Sequence, residues 1–217
     1  MTDKAWLLEN KNRVAEKAKF KSWRVFSKEL ISIEAGLDNS MQNLSGWPVL
    51  STGKPFFFGA NQNIDLKKHQ LIGLELLDGL GWNLPDEWGC WSNSNNACLK
   101  FVLSHSGTYS FYGAITLSDI HSQTSAKVIV NENVAWQGNV YPGKRTLFKG
   151  TIELEKASQM IDMQLCVNNV LNLADVAESP DSRRLGVGLI ELCVFPITEE
   201  KERLEYLEQL IDKYITY

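Results

Sequence analysis

A chain of 217 residues can build one sizeable hydrophobic core, and 44% apolar with 22% charged residues is an ordinary globular composition. The net charge of −4 argues against a nucleic-acid binder, which would carry a basic stripe, and no apolar run approaches the roughly 20 residues of a membrane-spanning helix. The opening Met1-Thr-Asp-Lys-Ala-Trp6 runs into Lys and Glu rather than an apolar stretch, so no signal peptide is expected and the chain reads as cytoplasmic.

Trp23, Phe26, Leu30, Ile33 and Leu37 recur at steps of three and four, the stripe of an amphipathic helix. Its start lies upstream, in the Ala-, Glu-, Lys- and Leu-rich residues 3–19, and Gly36 with Asp38-Asn-Ser40 supplies a stop. Lys4, Lys11, Arg13, Lys17, Lys19, Lys21, Arg24 and Lys28 outnumber Glu9 and Glu16, making this helix basic. An N-terminal helical segment is therefore expected over residues 1–45. Basic charge beside Trp23 and Phe26 also suits a membrane-surface helix.

From about Pro55 to Phe195 the chain has β character. Ala97–Leu103, Tyr109–Leu117, Lys127–Val130, Thr146–Leu154, Met160–Val167 and Gly186–Phe195 are rich in β-branched and aromatic residues. Turn residues separate them at Ser104-His-Ser-Gly107, Asn131-Glu-Asn133 and Pro142-Gly143. Short strands at this spacing, without an intervening helical period, predict a mainly β domain over residues 46–196, an antiparallel β-sandwich or jelly roll.

After Pro196, Thr198 with Glu199 to Glu202 predicts an N-cap and an acidic first turn. Leu204, Leu207, Ile211 and Tyr214 then step by three and four, a short coiled-coil seam in a helix over residues 197–217. The two flanking helices have opposite charge. They could pair within one chain, cover an open sheet, assemble a homo-oligomer or dock on a partner.

No catalytic motif, cofactor motif or metal-ligand spacing stands out. Cys90, Cys98, Cys166 and Cys193 show no C-x-x-C spacing and read as small buried hydrophobes. His69, His105 and His121 are scattered, and a triad from His121, Asp119 and some serine lacks a nucleophile elbow. Asp86 and Glu87 are adjacent, which does not give the separation a glycosidase needs, and Asp162, Asp175 and Glu178 are isolated. Asn93, Asn95 and Asn96 fit a hairpin turn better than a calcium site.

The densest chemistry lies in Gly81-Trp-Asn-Leu-Pro-Asp-Glu-Trp-Gly-Cys-Trp-Ser92, with three indoles in ten residues. Gly81-Trp82-x-x-Pro85-x-Glu87-x-Gly89-x-Trp91-Ser92 resembles the opening signature of a bacterial β-sandwich domain appended to glycosyltransferases of cell-surface polysaccharide synthesis. Ser179-Pro-Asp181-Ser-Arg183-Arg184-Leu-Gly186-x-Gly188-Leu189 resembles its closing signature. Val128-Ile-Val-Asn131 with Val134-Ala-Trp136 resembles its central hairpin, with Glu132-Asn133 where the family has Gly, so a longer or differently twisted turn is expected. The match spans roughly residues 56–195 and implies a sugar-binding accessory piece without its own transferase domain.

That resemblance implies a non-catalytic module for a bacterial glycan or glycan precursor in capsule or O-antigen assembly. Trp82, Trp88 and Trp91 would stack on pyranose faces, with Trp88 the strongest claimant, and Glu87 or Asp86 would accept sugar hydroxyls. Of Arg183 and Arg184, one would pair inward with Glu87 or Asp181 while the other reads an anionic sugar. Tyr109, Tyr112 and Trp136 could instead line a concave sheet face. In the alternative reading these residues are scaffold, and the terminal helices dock the sandwich to a glycosyltransferase or a second copy. A glycan-active hydrolase, with distant carboxylates converging, is a third reading.

Overall fold

The computed structural model describes residues 47–60, 71–79, 81–177 and 180–214. The N-terminal basic stripe, His69 and Glu178 lie outside the described residues.

Alternation of apolar and polar residues produces the long strands. They are β4 (Asn96–Leu103), β5 (Gly107–Leu117), β6 (Thr124–Val130), β7 (Asn133–Val140), β8 (Arg145–Leu154), β9 (Gln159–Val167) and β12 (Val187–Pro196). Two-residue strands fill the gaps: β1 (Phe56–Phe57), β2 (Leu71–Ile72), β3 (Cys90–Trp91), β10 (Leu171–Asn172) and β11 (Arg184–Leu185). One sheet runs β2-β1-β12-β5-β8, with β3 also paired to β12, and the other runs β4-β9-β6-β7. Among the described residues the named strands pair antiparallel except for the short β1–β2 contact, and the isolated bridges Val49–Val102 and Leu117–Pro142 are parallel.

Side chains of opposite parity in the two sheets meet in one core. Phe111, Ile115, Phe148, Leu192 and Val194 from the larger sheet face Leu99, Phe101, Val128, Ile161 and Met163 from the smaller. This is a β-sandwich. β12 is buried along nearly its whole length, because it is central in its sheet and its outer face is also covered.

The cover on that outer face is α2 (Glu200–Tyr214). Its Tyr206 and Leu210 pack on Tyr112, Cys193 and Phe195, with ring centroids of Phe195 and Tyr206 5.5 Å apart. Glu191, 1% exposed, accepts hydrogen bonds from Lys213 Nζ at 2.7 Å and from the Tyr206 hydroxyl at 3.4 Å. The sequence-predicted seam is thereby split. Leu204 and Ile211 are 51% and 42% exposed, and only Leu207 of the described side chains leans on the sheet cluster. The cap also differs: the Arg203 N–H donates to Glu199 O, so Glu199 rather than Thr198 occupies the cap position. A second, five-residue helix, α1 (Leu173–Ala177), interrupts the β zone.

The β6–β7 hairpin corrects the expected longer turn. Val130 pairs with Asn133, and Asn131 and Glu132 both have positive φ, 46° and 69°, giving a two-residue turn of the type that Asn-Gly favours. Asn131 anchors it: its N–H donates to Asp162 O, and its Oδ1 accepts from the Asp162 N–H. A register shift between Val128 and Ile129 absorbs the mismatch.

Candidate functional site

The two ends of the β zone meet in space. Trp91 pairs with Gly188 and Cys90 with Leu189, so β3 lies along the first half of β12. Ser92 closes this junction: its N–H donates to Val187 O, while its O and Oγ accept from the Gly186 and Val187 N–H groups. Trp82 bridges to Ser92 on the other side, and the Asn83 amide donates to Arg184 O at 2.7 Å.

Three indoles enter this junction and take three environments. Trp82 is 3% exposed, Trp91 8% and Trp88 37%. Trp82 lies within the core and donates its N–H to Cys98 O at 2.8 Å, so no face is left for stacking. Trp91 and Trp88 lie on the outer face of the larger sheet. Gly188 follows inward-facing Val187, so its missing side chain would point outward, and a Cβ there would come within 2.6 Å of Trp88 and 2.9 Å of Trp91. The two rings sit edge to face over that glycine, centroids 4.9 Å apart and planes at 78°. Trp91 is the buried support and Trp88 the exposed member. Tyr109 and Tyr112 are buried and Trp136 packs against the core, so the expectation that they line an open sheet face is not met.

A turn carries Trp88. The Asp86 N–H donates to Gly89 O, and Asp86 O accepts from the Ala60 N–H at 2.7 Å. Gly89 is required there, because a Cβ would meet Leu189 O at 2.5 Å. The same turn anchors the charged groups. Arg183 donates from Nη1 to Asp86 Oδ1 at 2.9 Å and from Nε to Asp181 Oδ2 at 2.8 Å. Asp181 Oδ1 also accepts the Arg183 N–H. The inward arginine is thus Arg183, as pairing with Asp181 anticipated, but its second partner is Asp86 and not Glu87. Burial would raise the Asp181 carboxyl, but the Arg183 backbone and guanidinium donors outweigh it and hold Asp181 below the usual carboxylate range. Glu87 and Arg184 are exposed, and adjacent residues of an extended segment point oppositely, which directs Arg184 away from the Asp86 turn.

Elsewhere the polar residues are structural. His121 is buried, its Nε2 2.9 Å from Leu185 O, and desolvation lowers its pKa. His105 is exposed in its turn, and its carbonyl accepts the Tyr109 hydroxyl. Asn93 and Asn95 donate to Trp82 O and Val167 O as turn braces. Asp162 is 3.9 Å from Lys100, whose closer partner is Asp78 at 2.6 Å. All four cysteines are free, and burial pushes the Cys90 and Cys193 thiols well up. Among the described residues, no group of three or more His, Cys, Asp and Glu could hold a metal ion. Sequence reasoning passed over Asp86 as the partner of Arg183 and Gly188 as the floor beneath the indoles. The Gly186-x-Gly188 spacing was the available signal for the floor.

No family model matches the chain, and no curated protein matches it. Solved structures that align with it include an insecticidal delta-endotoxin, Cry8Ea1, from Bacillus thuringiensis (10% identity, TM-score 0.33, 48% of this chain and 18% of that one). A family 35 carbohydrate binding module from an environmental isolate aligns at 12% identity and TM-score 0.33, over 65% of this chain and 85% of that one. A CBM36 module in complex with calcium and xylotriose aligns at 9% identity and TM-score 0.33, over 54% and 91%. The chain therefore spans under a fifth of the toxin's length. At these scores the two-sheet architecture rests on the strand pairing itself.

Proposed function

We infer that the chain is a non-catalytic carbohydrate-binding module, an accessory to assembly of a bacterial surface polysaccharide. The observation that carries the binding role is Trp88. It is a half-exposed indole, braced by a buried second indole over a glycine, on a turn tied down by an Arg–carboxylate clasp. A rigid aromatic face loses little conformational freedom on binding, and its N–H and neighbouring carboxylates suit a sugar's hydroxyls. The polysaccharide-assembly context comes from the signatures over residues 81–92 and 179–189 and would make a glycosyltransferase the partner. A stack of this kind contributes about 1 kcal/mol, so single-sugar affinity is weak, on the order of millimolar, and useful retention depends on several contacts.

The test is a titration of surface-glycan oligosaccharides followed by tryptophan fluorescence. Binding should quench or shift emission in the wild type and vanish in Trp88→Ala, which keeps the native circular dichroism. An unresponsive wild type across such glycans removes the proposal.

A second reading is favoured by α2. Leu204 and Ile211 lie seven residues apart on the side of the helix facing away from Tyr206 and Leu210, and both are exposed. An anchored helix with an open apolar line is suited to docking on a transferase or a second copy. Size-exclusion chromatography of the full chain and of Leu204→Glu/Ile211→Glu discriminates: a shared elution volume at every concentration excludes self-association through this line.

A further inference from the structure

Resting on the glycan reading above, a ligand class follows from the charges around Trp88. We propose that the turn bearing Trp88 seats a protonated amino sugar, its ammonium group held between the open indole face and the Glu87 carboxylate.

Glu87 and Trp88 are the two tip residues of the turn that the Asp86 N–H and Gly89 O close, and both side chains are exposed. The tip is held from behind: a Cβ at Gly59 would collide with Glu87 O and come within 2.8 Å of the Trp88 carbonyl carbon. Consecutive Cα atoms lie about 3.8 Å apart, so a group resting on the indole is within reach of the carboxylate beside it. Trp91, edge to face with Trp88 at 4.9 Å, braces the ring and leaves it 37% exposed.

An indole face carries the negative pole of the ring quadrupole, and among aromatic side chains Trp attracts a cation most strongly. A neutral pyranose gains only stacking and hydroxyl contacts here. An ammonium group on the same sugar adds attraction to the indole and to Glu87, and both fall on one substituent. That substituent is also a hydrogen-bond donor, which matches a carboxylate that can only accept.

Among the described residues the charges near this turn are negative in sum. Arg183 is shared by Asp86 at 2.9 Å and Asp181 at 2.8 Å, so the clasp keeps one carboxylate charge in excess. Glu87 forms no ion pair with a described residue and adds a second. Arg184 lies on the opposite side of its extended segment, and counting it still leaves three carboxylates against two guanidinium groups. Glu191 and Lys213 are paired at 2.7 Å and cancel. β8 carries Arg145, Lys149 and Glu153, and the turn before it carries Lys144 and, next to Gly143, meets Asp119. These stand two interstrand spacings from Gly188, about 10 Å, which is the screening length at moderate salt. A uronate at Trp88 would meet an excess of carboxylates, so the anionic sugar expected from Arg183 and Arg184 gives way to a cationic one.

The experiment titrates full-length wild type, Glu87→Gln, Trp88→Ala and a distant control, Glu205→Gln/Glu208→Gln on α2, by calorimetry at mildly acidic pH and at low and high salt. The ligands are matched amino, N-acetylamino and plain oligosaccharides of gluco and galacto configuration. Wild type should bind an amino oligosaccharide about fivefold tighter than its neutral counterparts at low salt, with the gap narrowing as salt rises. In Glu87→Gln the matched ligands should bind alike, Trp88→Ala should lose all of them, and the α2 control should keep the wild-type preference. A preference that survives in Glu87→Gln, that falls equally in the α2 control, or that is absent from wild type overturns the ammonium seat and leaves glycan binding standing. Absence of binding across the whole panel overturns both. Glu87 is an exposed tip residue, so its variant should keep the native circular dichroism.

Discussion

Glu132 occupies a left-handed backbone conformation that a side chain makes costly by about 1–2 kcal/mol. Glycine adopts it freely at some entropic cost, so Glu132→Gly should stabilise the protein by about 0.5–1 kcal/mol, read as a Tm rise of about 2 °C in calorimetry. His121 behaves oppositely. Burial lowers its imidazole pKa, so the folded state resists a proton that the unfolded chain accepts. Its contribution is intact above the ordinary imidazole value of about 6.5 and is lost as pH falls from there through its lowered folded value. Asp181 adds a second loss only below the usual carboxylate range, about pH 4, because its folded pKa is lowered too. Urea titrations from pH 7 to 4 should show the first decline, and His121→Gln should flatten it above pH 5. A wild-type profile that is level between pH 7 and 5 contradicts this assignment. At this scale the sequence was only partly informative. Trp82, Trp88 and Trp91 look alike in a string of letters, yet Trp82 enters the core while Trp88 and Trp91 share the outer face over Gly188 and differ in exposure because Trp91 is on β3 and Trp88 on the turn before it. Asp86 and Glu87 are neighbours whose roles are decided by the single turn between Asp86 and Gly89.

Among elements, α2 has its own electrostatic fastening. Lys213 covers Glu191 and lies 4.3 Å from the centroid of the Phe57 ring. Lys213→Met should leave a buried carboxylate held only by a long tyrosine hydrogen bond, costing about 1–3 kcal/mol in urea unfolding. Adding Glu191→Gln should recover part of that loss, since the orphaned charge is then gone; an additive double variant would mean that the two side chains do not interact. The long strands were legible because alternation over seven or more residues specifies a half-buried strand. β1, β2, β3, β10 and β11 were not, since two residues carry no period. The helix after Pro196 was legible as a helix, but of its heptad-like line only Leu207 leans on the sheet cluster, while Leu204 and Ile211 are exposed. Tyr206 and Leu210 face the sheet because Tyr112 and Phe195 offer an aromatic surface to pack on.

For the whole molecule, the prediction of an antiparallel mainly β sandwich matches the pairing of both sheets. The meeting of the segments near residues 85 and 184 was inferable from their places at the two ends of the β zone. Their exact division into a core indole, a supported exposed indole and a neutralised arginine was not, because it depends on how the edge of the larger sheet is closed. Gly188→Leu tests that closure. A side chain there collides with both indoles, so Trp88 should be displaced, its emission should shift to longer wavelength, and glycan binding should fall at least tenfold. Retained binding would show that the ledge is not the contact surface.

Among the described strands β12 is the last in chain order, yet β1, β3 and β5 all pair with it. As the chain leaves the ribosome, those three strands wait without their common neighbour until residues 187–196 emerge. The larger sheet therefore closes only once residues 187–196 are available, and a nascent chain stalled before Val187 exposes unsatisfied strand edges that invite chaperones or aggregation.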